Sequence, residues 1–178
     1  MEIKKPTTRQ VTLRLTMTAM FMAMTVACST FSIPVPGGHL YLCDVPICLA
    51  AVLMDPVSAF LVGGVGSFLG DFLFYPLPMF VSLVSHGLQA IIISLCAHYT
   101  FRRRPVFASG LGVLLGGIVM IIGYSLGRAF IYATPETALI KLPYEILQAA
   151  IGGVGGLLLC WKAGVRKLFL RLEAGRIR

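Results

Sequence analysis

The sequence predicts an all-α membrane protein, a compact bundle of six transmembrane helices with both termini in the cytoplasm. Composition is the first reason: 57% of the 178 residues are hydrophobic, 12% are charged and the mean hydropathy is +0.88, more apolar surface than a soluble domain of this size can hide. Segmentation is the second: proline, glycine and charged residues divide the apolar sequence into stretches that fit about six spans of about 20 residues, leaving no room for a soluble domain. The third is charge placement. With both termini inside, all but Arg128 and Lys141 of the 15 Lys and Arg residues fall on the cytoplasmic side. The net charge of +8 thus reports membrane orientation rather than a nucleic-acid partner.

The polar, basic segment Met1 to Gln10 precedes a first span from about Val11 to Ile33, too long in its apolar part for a cleaved signal peptide. The loop Ser32 to Asp44 carries two prolines and a glycine pair, so it cannot begin as helix. A short second span, about 45–54, stops at Asp55 and Pro56, a cap and first-turn proline that open a third span, about 57–74. Tyr75 to Pro78 break the chain before a fourth span at 79–100, which Arg102 to Arg104 close. A fifth follows at 106–132 and, after a connection from Ala133 to Leu142, a sixth at 143–161 begins at Pro143. Charges in the tail, 162–178, alternate with apolar residues in the manner of a helix lying along the membrane surface. The five cysteines (Cys28, Cys43, Cys48, Cys96, Cys160) form no CxxC pair and read as small hydrophobes, not as a disulfide framework or metal site.

Several polar residues lie inside these spans. An ionisable group in hydrocarbon costs about 2.5–3.5 kcal/mol on insertion scales, so it is kept where it faces protein or a watery cavity. At about 1.5 Å per residue, Asp71, Arg128 and Glu145 lie about 3–6 Å from the outer ends of their helices, Gln148 about 8 Å, and Tyr124, His86 and Gln89 about 12–16 Å. All fall in the outer half of the membrane. Within each helix the polar residues recur every three or four positions: Asp71 with Tyr75, His86 with Gln89, Tyr124 with Arg128 and Tyr132, Glu145 with Gln148. Four helices thus each turn one polar stripe towards a shared site. Structural alternatives stand beside this reading. Arg128 and Glu145 can simply neutralise each other, Asp71 and Glu145 can be solvated helix ends, His86 can bond a neighbouring helix, and the tyrosines can belong to an interfacial belt. His98, near the cytoplasmic end, and His39, in a loop, read as non-functional, although that loop can cover the site.

Small residues form a second pattern. Ala19, Ala23 and Ala27 recur every four residues on the first span, flanked by Met17, Met20, Met22 and Met24, and make a groove for another helix, either within the bundle or on a partner. Gly66 with Gly70, Gly112 with Gly116, Gly123 with Gly127 and Gly152 with Gly156 fit internal packing.

The alanine stripe, the run LYLCDVPICLAAVLMDPVSAFLVGGVGSFLGDFL from Leu40 to Leu73, the SHGLQA segment from Ser85 to Ala90, and Pro143 with Gln148 in KLPYEILQAAIGG together resemble the substrate-binding S component of an energy-coupling factor (ECF) vitamin transporter. The resemblance covers nearly the whole chain and lies closest to the riboflavin, hydroxymethylpyrimidine and pyridoxine-type members. It implies a bacterial plasma-membrane protein that captures a vitamin from outside in a pocket capped by outer loops. It further implies docking through Ala19, Ala23 and Ala27 on a membrane T component driven by two cytoplasmic ATPases, and toppling to release the cargo. No cofactor or metal is implied, and the chain carries no phosphate-binding GxxxxGK[ST] loop of its own. Members usually have Asn at the position of Glu145 and Gly at that of Asp55. A carboxylate in the pocket favours a neutral or cationic ligand over a multiply anionic one.

The expected site therefore comprises Asp71, Tyr75, His86, Gln89, Tyr124, Arg128, Tyr132, Glu145 and Gln148, binding a small ring-containing vitamin without chemistry on it. Two rival classes are an intramembrane enzyme using Asp71, His86 and Glu145 as acid, base or metal ligands, and a self-sufficient secondary carrier. No HExxH-type motif and no internal repeat supports either.

Overall fold

A computed structural model describes residues 7–101 and 103–174. Lys4, Lys5, Arg102, Arg176 and Arg178, used above for orientation, lie outside the described residues. Helix α1, Thr8–Ser29, starts at a capping box in which Thr7 and Gln10 satisfy each other's backbone N–H groups. Its inner face is Thr18, Phe21, Thr25 and Ser29, all buried. The hydroxyls of Thr25 and Ser29 donate to carbonyls one turn back, each at 3.0 Å, so this face is polar in composition without carrying unmet donors. Ala19, Ala23 and Ala27 lie on the opposite, exposed face, which removes them from the packing within the bundle.

The first span ends four residues earlier than the sequence reading placed it. Ser32–Val35 is instead strand β1, paired antiparallel with β2, Gly38–Tyr41, so that Ser32 faces Tyr41 and Val35 faces Gly38. Pro34 and Pro36 forbid continued helix, and Gly37 (φ 82°) and Gly38 (φ 148°) turn the chain through backbone conformations that side-chain-bearing residues rarely adopt. Pro34 is tolerated because a two-stranded hairpin has only edges.

Helix α2, Asp44–Leu53, is only ten residues long. At about 15 Å it spans half the hydrocarbon thickness. It is apolar on every side and buried along its whole length except Val45, as a helix enclosed by the others must be. Glycines on a later helix let its backbone come close: a Cβ at Gly156 would sit 2.8 Å from Cys48 Cβ and 3.0 Å from the Leu49 nitrogen. Its last carbonyls are met in part by Ser94, whose hydroxyl donates to Met54 O at 2.6 Å. The described residues thus hold five helices long and apolar enough to cross a membrane, plus α2, rather than six full spans.

Helix α3, Pro56–Phe74, is capped by Asp55 and contains a π turn at Leu61–Val65. Gly66 and Gly70 meet Thr25 and Ser29 of α1. Helices α4, Met79–Tyr99, and α5, Pro105–Tyr132, pack along most of their length. Gly112 and Gly116 of α5 lie against Ile93, Gly123 against Ser85 and Gly127 against Val81, so these glycine pairs serve internal packing as expected. The last turn of α5, Arg128–Tyr132, is again π-helical.

The sixth span requires a larger correction. Helix α6 runs Pro135–Trp161, with Thr134 as its cap, Pro135 in its first turn and Pro143 inside it. Thr134 and Pro135 form the same start signal eight residues before the one read from Pro143, and a membrane helix tolerates an internal proline where neighbours satisfy the freed carbonyl. Glu145 and Gln148 consequently lie about 15 and 20 Å along the helix, not near its end. The tail resumes as amphipathic helix α7, Val165–Glu173, after a break at Gly164 (φ 77°), and seats Phe169 in the core.

Candidate functional site

The hairpin end of the bundle holds three hydrogen-bonded groups around a recess lined by Gly38, His39, Tyr41, Asp71, Tyr75, Pro78, Tyr124, Arg128, Tyr132, Glu145 and Gln148. The recess is nearly closed in this structure, with a cavity of about 30 Å³, room for one or two waters. Seven of the nine residues expected from the sequence line this recess; His86 and Gln89 lie behind its floor.

The floor is built on Asp44, the first residue of α2 and 0% exposed. Its Oδ1 accepts from Gln89 Nε2 at 3.0 Å and its Oδ2 from Gln148 Nε2 at 2.7 Å. Each glutamine is fixed at its other end. Gln148 Oε1 accepts the Tyr41 backbone N–H at 3.0 Å, and Gln89 Oε1 lies 2.7 Å from His86 Nδ1. Because an amide oxygen only accepts, His86 carries its proton on Nδ1, 3.5 Å from Asp44 Oδ1. The buried carboxylate is therefore stabilised by amide dipoles from two helices.

The second group joins α5, α6 and the hairpin. The π turn at the end of α5 carries Arg128 and Tyr132, with the guanidinium 5.3 Å from the Tyr132 ring centroid. Arg128 Nη1 donates to Gly37 O at 2.7 Å and Nη2 to Glu145 Oε1 at 3.0 Å. Lys141 Nζ, one turn before Glu145, is 3.7 Å from the same oxygen. Lys141 is 1% exposed and Glu145 3%, so Glu145 is not a solvated helix end. Arg128 and Glu145 pair with each other, one of the two readings of the sequence, and both also line the recess.

The third group is Asp71, Ser82 and Tyr124. Ser82 Oγ donates to Asp71 Oδ2, which commits its single proton; Tyr124 must then donate to Ser82, leaving lone pairs on the phenol oxygen. Asp71 is 8% exposed, so it is not a solvated helix end. The edge-to-face contact of Tyr124 with His86, 5.2 Å between ring centroids, joins this group to the floor. On the hairpin side His39 packs edge-on to Tyr75 at 5.8 Å. His39 Nδ1 and Tyr132 Oη are buried at the recess without a hydrogen-bond partner.

Sequence reasoning missed Asp44, Lys141, Ser82 and Tyr41, and it set aside His39, which lines the recess. Asp44 was placed as the last residue of a loop; its signal was an acid opening a wholly apolar run. Lys141 was hidden by the late start assigned to α6. Among the described residues the one cluster with metal-ligand spacing is Cys43, Asp44 and His86, within 4.8 Å of one another, not Asp71, His86 and Glu145. Both oxygens of Asp44 are already met by amide donors, so this cluster needs no ion to be satisfied.

A membrane-embedded helical bundle with an aromatic and polar recess under a hairpin defines a solute-binding membrane protein. Residues 9–165 match the family described as ECF-type riboflavin transporter, S component, and the chain belongs to it. It is accordingly the substrate-binding S component of an ECF transporter, a multi-pass plasma-membrane protein that works with a T component and ATPase subunits. The chain is 35% identical over 136 residues to an uncharacterised protein of Pyrococcus woesei, covering 75% of this chain and 89% of that one. Its fold matches a solved S component of a bacterial ECF transporter with TM-score 0.71 at 20% identity, over 85% of this chain and 95% of that one.

Proposed function

We propose that this S component captures a small ring-containing vitamin or precursor, of the pyridoxine, hydroxymethylpyrimidine or riboflavin class, in the recess under the hairpin, and passes it inward without chemical change. The observation that carries this reading is the convergence of Asp71, Tyr75, Tyr124, Arg128, Tyr132, Glu145 and Gln148 from three helices, α3, α5 and α6, on one recess, with two buried polar atoms, His39 Nδ1 and Tyr132 Oη, left for a ligand to meet. His86 and Gln89 hold the floor in place. Both termini face the cytoplasm, which puts the hairpin outside; the distribution of Lys and Arg supports this. The exposed Ala19, Ala23 and Ala27 face docks on the T component.

Calorimetric titration of the purified chain with each B-vitamin class tests capture. Saturable binding of one ring-containing vitamin is expected, and absence of binding to all of them would refute the reading.

A further inference from the structure

The charged groups lining the recess are Asp71, Arg128 and Glu145. Arg128 and Glu145 are bonded to each other, and Lys141 closes on the same Glu145 oxygen. The floor carboxylate, Asp44, is enclosed and saturated by Gln89 and Gln148. One carboxylate remains. Among the described residues no Lys or Arg lies within ion-pair distance of Asp71, whose partner is the neutral hydroxyl of Ser82. A buried carboxylate without a counter-charge is costly, and one that lines a binding recess has an evident place for the missing charge.

The walls beside it are aromatic: Tyr75, Tyr124 and Tyr132 supply ring faces, which attract cations as well as stack on rings. The oxygen of Tyr124, whose proton is committed to Ser82, offers a second acceptor. Acceptors and π faces thus line the recess beside Asp71, while the guanidinium of Arg128 is already engaged by Glu145 and Gly37.

We infer that the ligand is a nitrogen heterocycle bearing a positive charge or a protonatable ring nitrogen with adjacent N–H donors, and that Asp71 is the residue that selects it. This rests on the capture reading above and narrows it. A neutral tricyclic flavin or a carboxylate vitamin leaves Asp71 without a counter-charge; a cationic or amino-substituted heterocycle supplies one.

The purified full-length chain is titrated with thiamine (a fixed cation), hydroxymethylpyrimidine (a protonatable aminopyrimidine), riboflavin (neutral) and biotin (an anion). One of the first two is expected to bind at least tenfold tighter than riboflavin or biotin, and Asp71→Asn to weaken that binding at least tenfold while Asp71→Glu retains more of it. Tightest binding by riboflavin or biotin overturns the selectivity but leaves capture standing. Binding by none of the four overturns this inference, and capture itself falls only when no B-vitamin class binds. Unchanged affinity of the Asp71→Asn protein for the preferred heterocycle overturns the role of Asp71. The ranking on the unaltered chain decides even if the variant is unstable.

Discussion

Glu145 Oε1 serves two cations at once, Arg128 at 3.0 Å and Lys141 at 3.7 Å, and all three groups are largely withdrawn from solvent. The stoichiometry makes the acid the critical member. Removing Arg128 leaves a neutral Lys141–Glu145 pair, whereas removing Glu145 leaves two cations facing each other.

Glu145→Ala is therefore expected to destabilise more than Arg128→Ala, with breakage of a buried pair costing about 3–5 kcal/mol. Replacing Lys141 as well, in Glu145→Ala with Lys141→Met, should recover part of the loss. Thermal unfolding of the parent and the three variants in detergent measures these differences; equal effects of the two single changes would contradict the ranking.

Asp44 cannot be exchanged for its amide. In Asp44→Asn one carboxylate oxygen becomes an NH₂ aimed at the NH₂ of Gln89 or Gln148. Neither glutamine can flip to receive it, because each oxygen is already engaged by Tyr41 N–H or His86. The unmet donor costs about 1–3 kcal/mol, and both ligand affinity and melting temperature should fall.

Two glycines in long helices offer a matched test of packing. A Cβ at Gly152 collides with Asp44, while one at Gly110 meets nothing within 4 Å. Gly152→Ala should lower stability by about 1–3 kcal/mol through overpacking. Gly110→Ala should raise it by about 0.5–1 kcal/mol, the usual gain from restricting a helical glycine. Denaturation midpoints compared side by side give the sign of each.

On α1 the outward alanines predict a split phenotype. Ala23→Trp adds bulk on an exposed face and should leave ligand binding and folding intact while abolishing uptake in cells that hold the T component and ATPases. Loss of binding in the purified variant would count against docking through this face.

The spans legible in the sequence were those with punctuation at both ends: α3 between Pro56 and Tyr75, α4 between Pro78 and Thr100, α5 from Pro105. The errors fell where a signal had two readings. Pro143 marks a helix start as well as it marks an internal proline, and only the packing of α6 decides between them. The run from Phe31 to Val35 is as apolar as the helix before it, so its pairing into a hairpin depends on Gly37 and Gly38 beyond it. The site was legible through helical spacing, which assembled seven lining residues. Asp44 and Lys141 escaped because their burial is set by contacts over a hundred residues away in the first case, and by the start of α6 in the second.

The hairpin is fastened to the bundle through main-chain atoms, Gly37 O to Arg128 and Tyr41 N–H to Gln148. Such anchors are blind to side-chain identity. An alanine scan across Ser32 to Tyr41 would register little of this attachment except at Gly37 and Gly38, where the backbone itself resists a side chain. The constraint on this segment is conformational, carried by the positive φ of Gly37 and Gly38, while the chemistry that secures it is encoded more than eighty residues away.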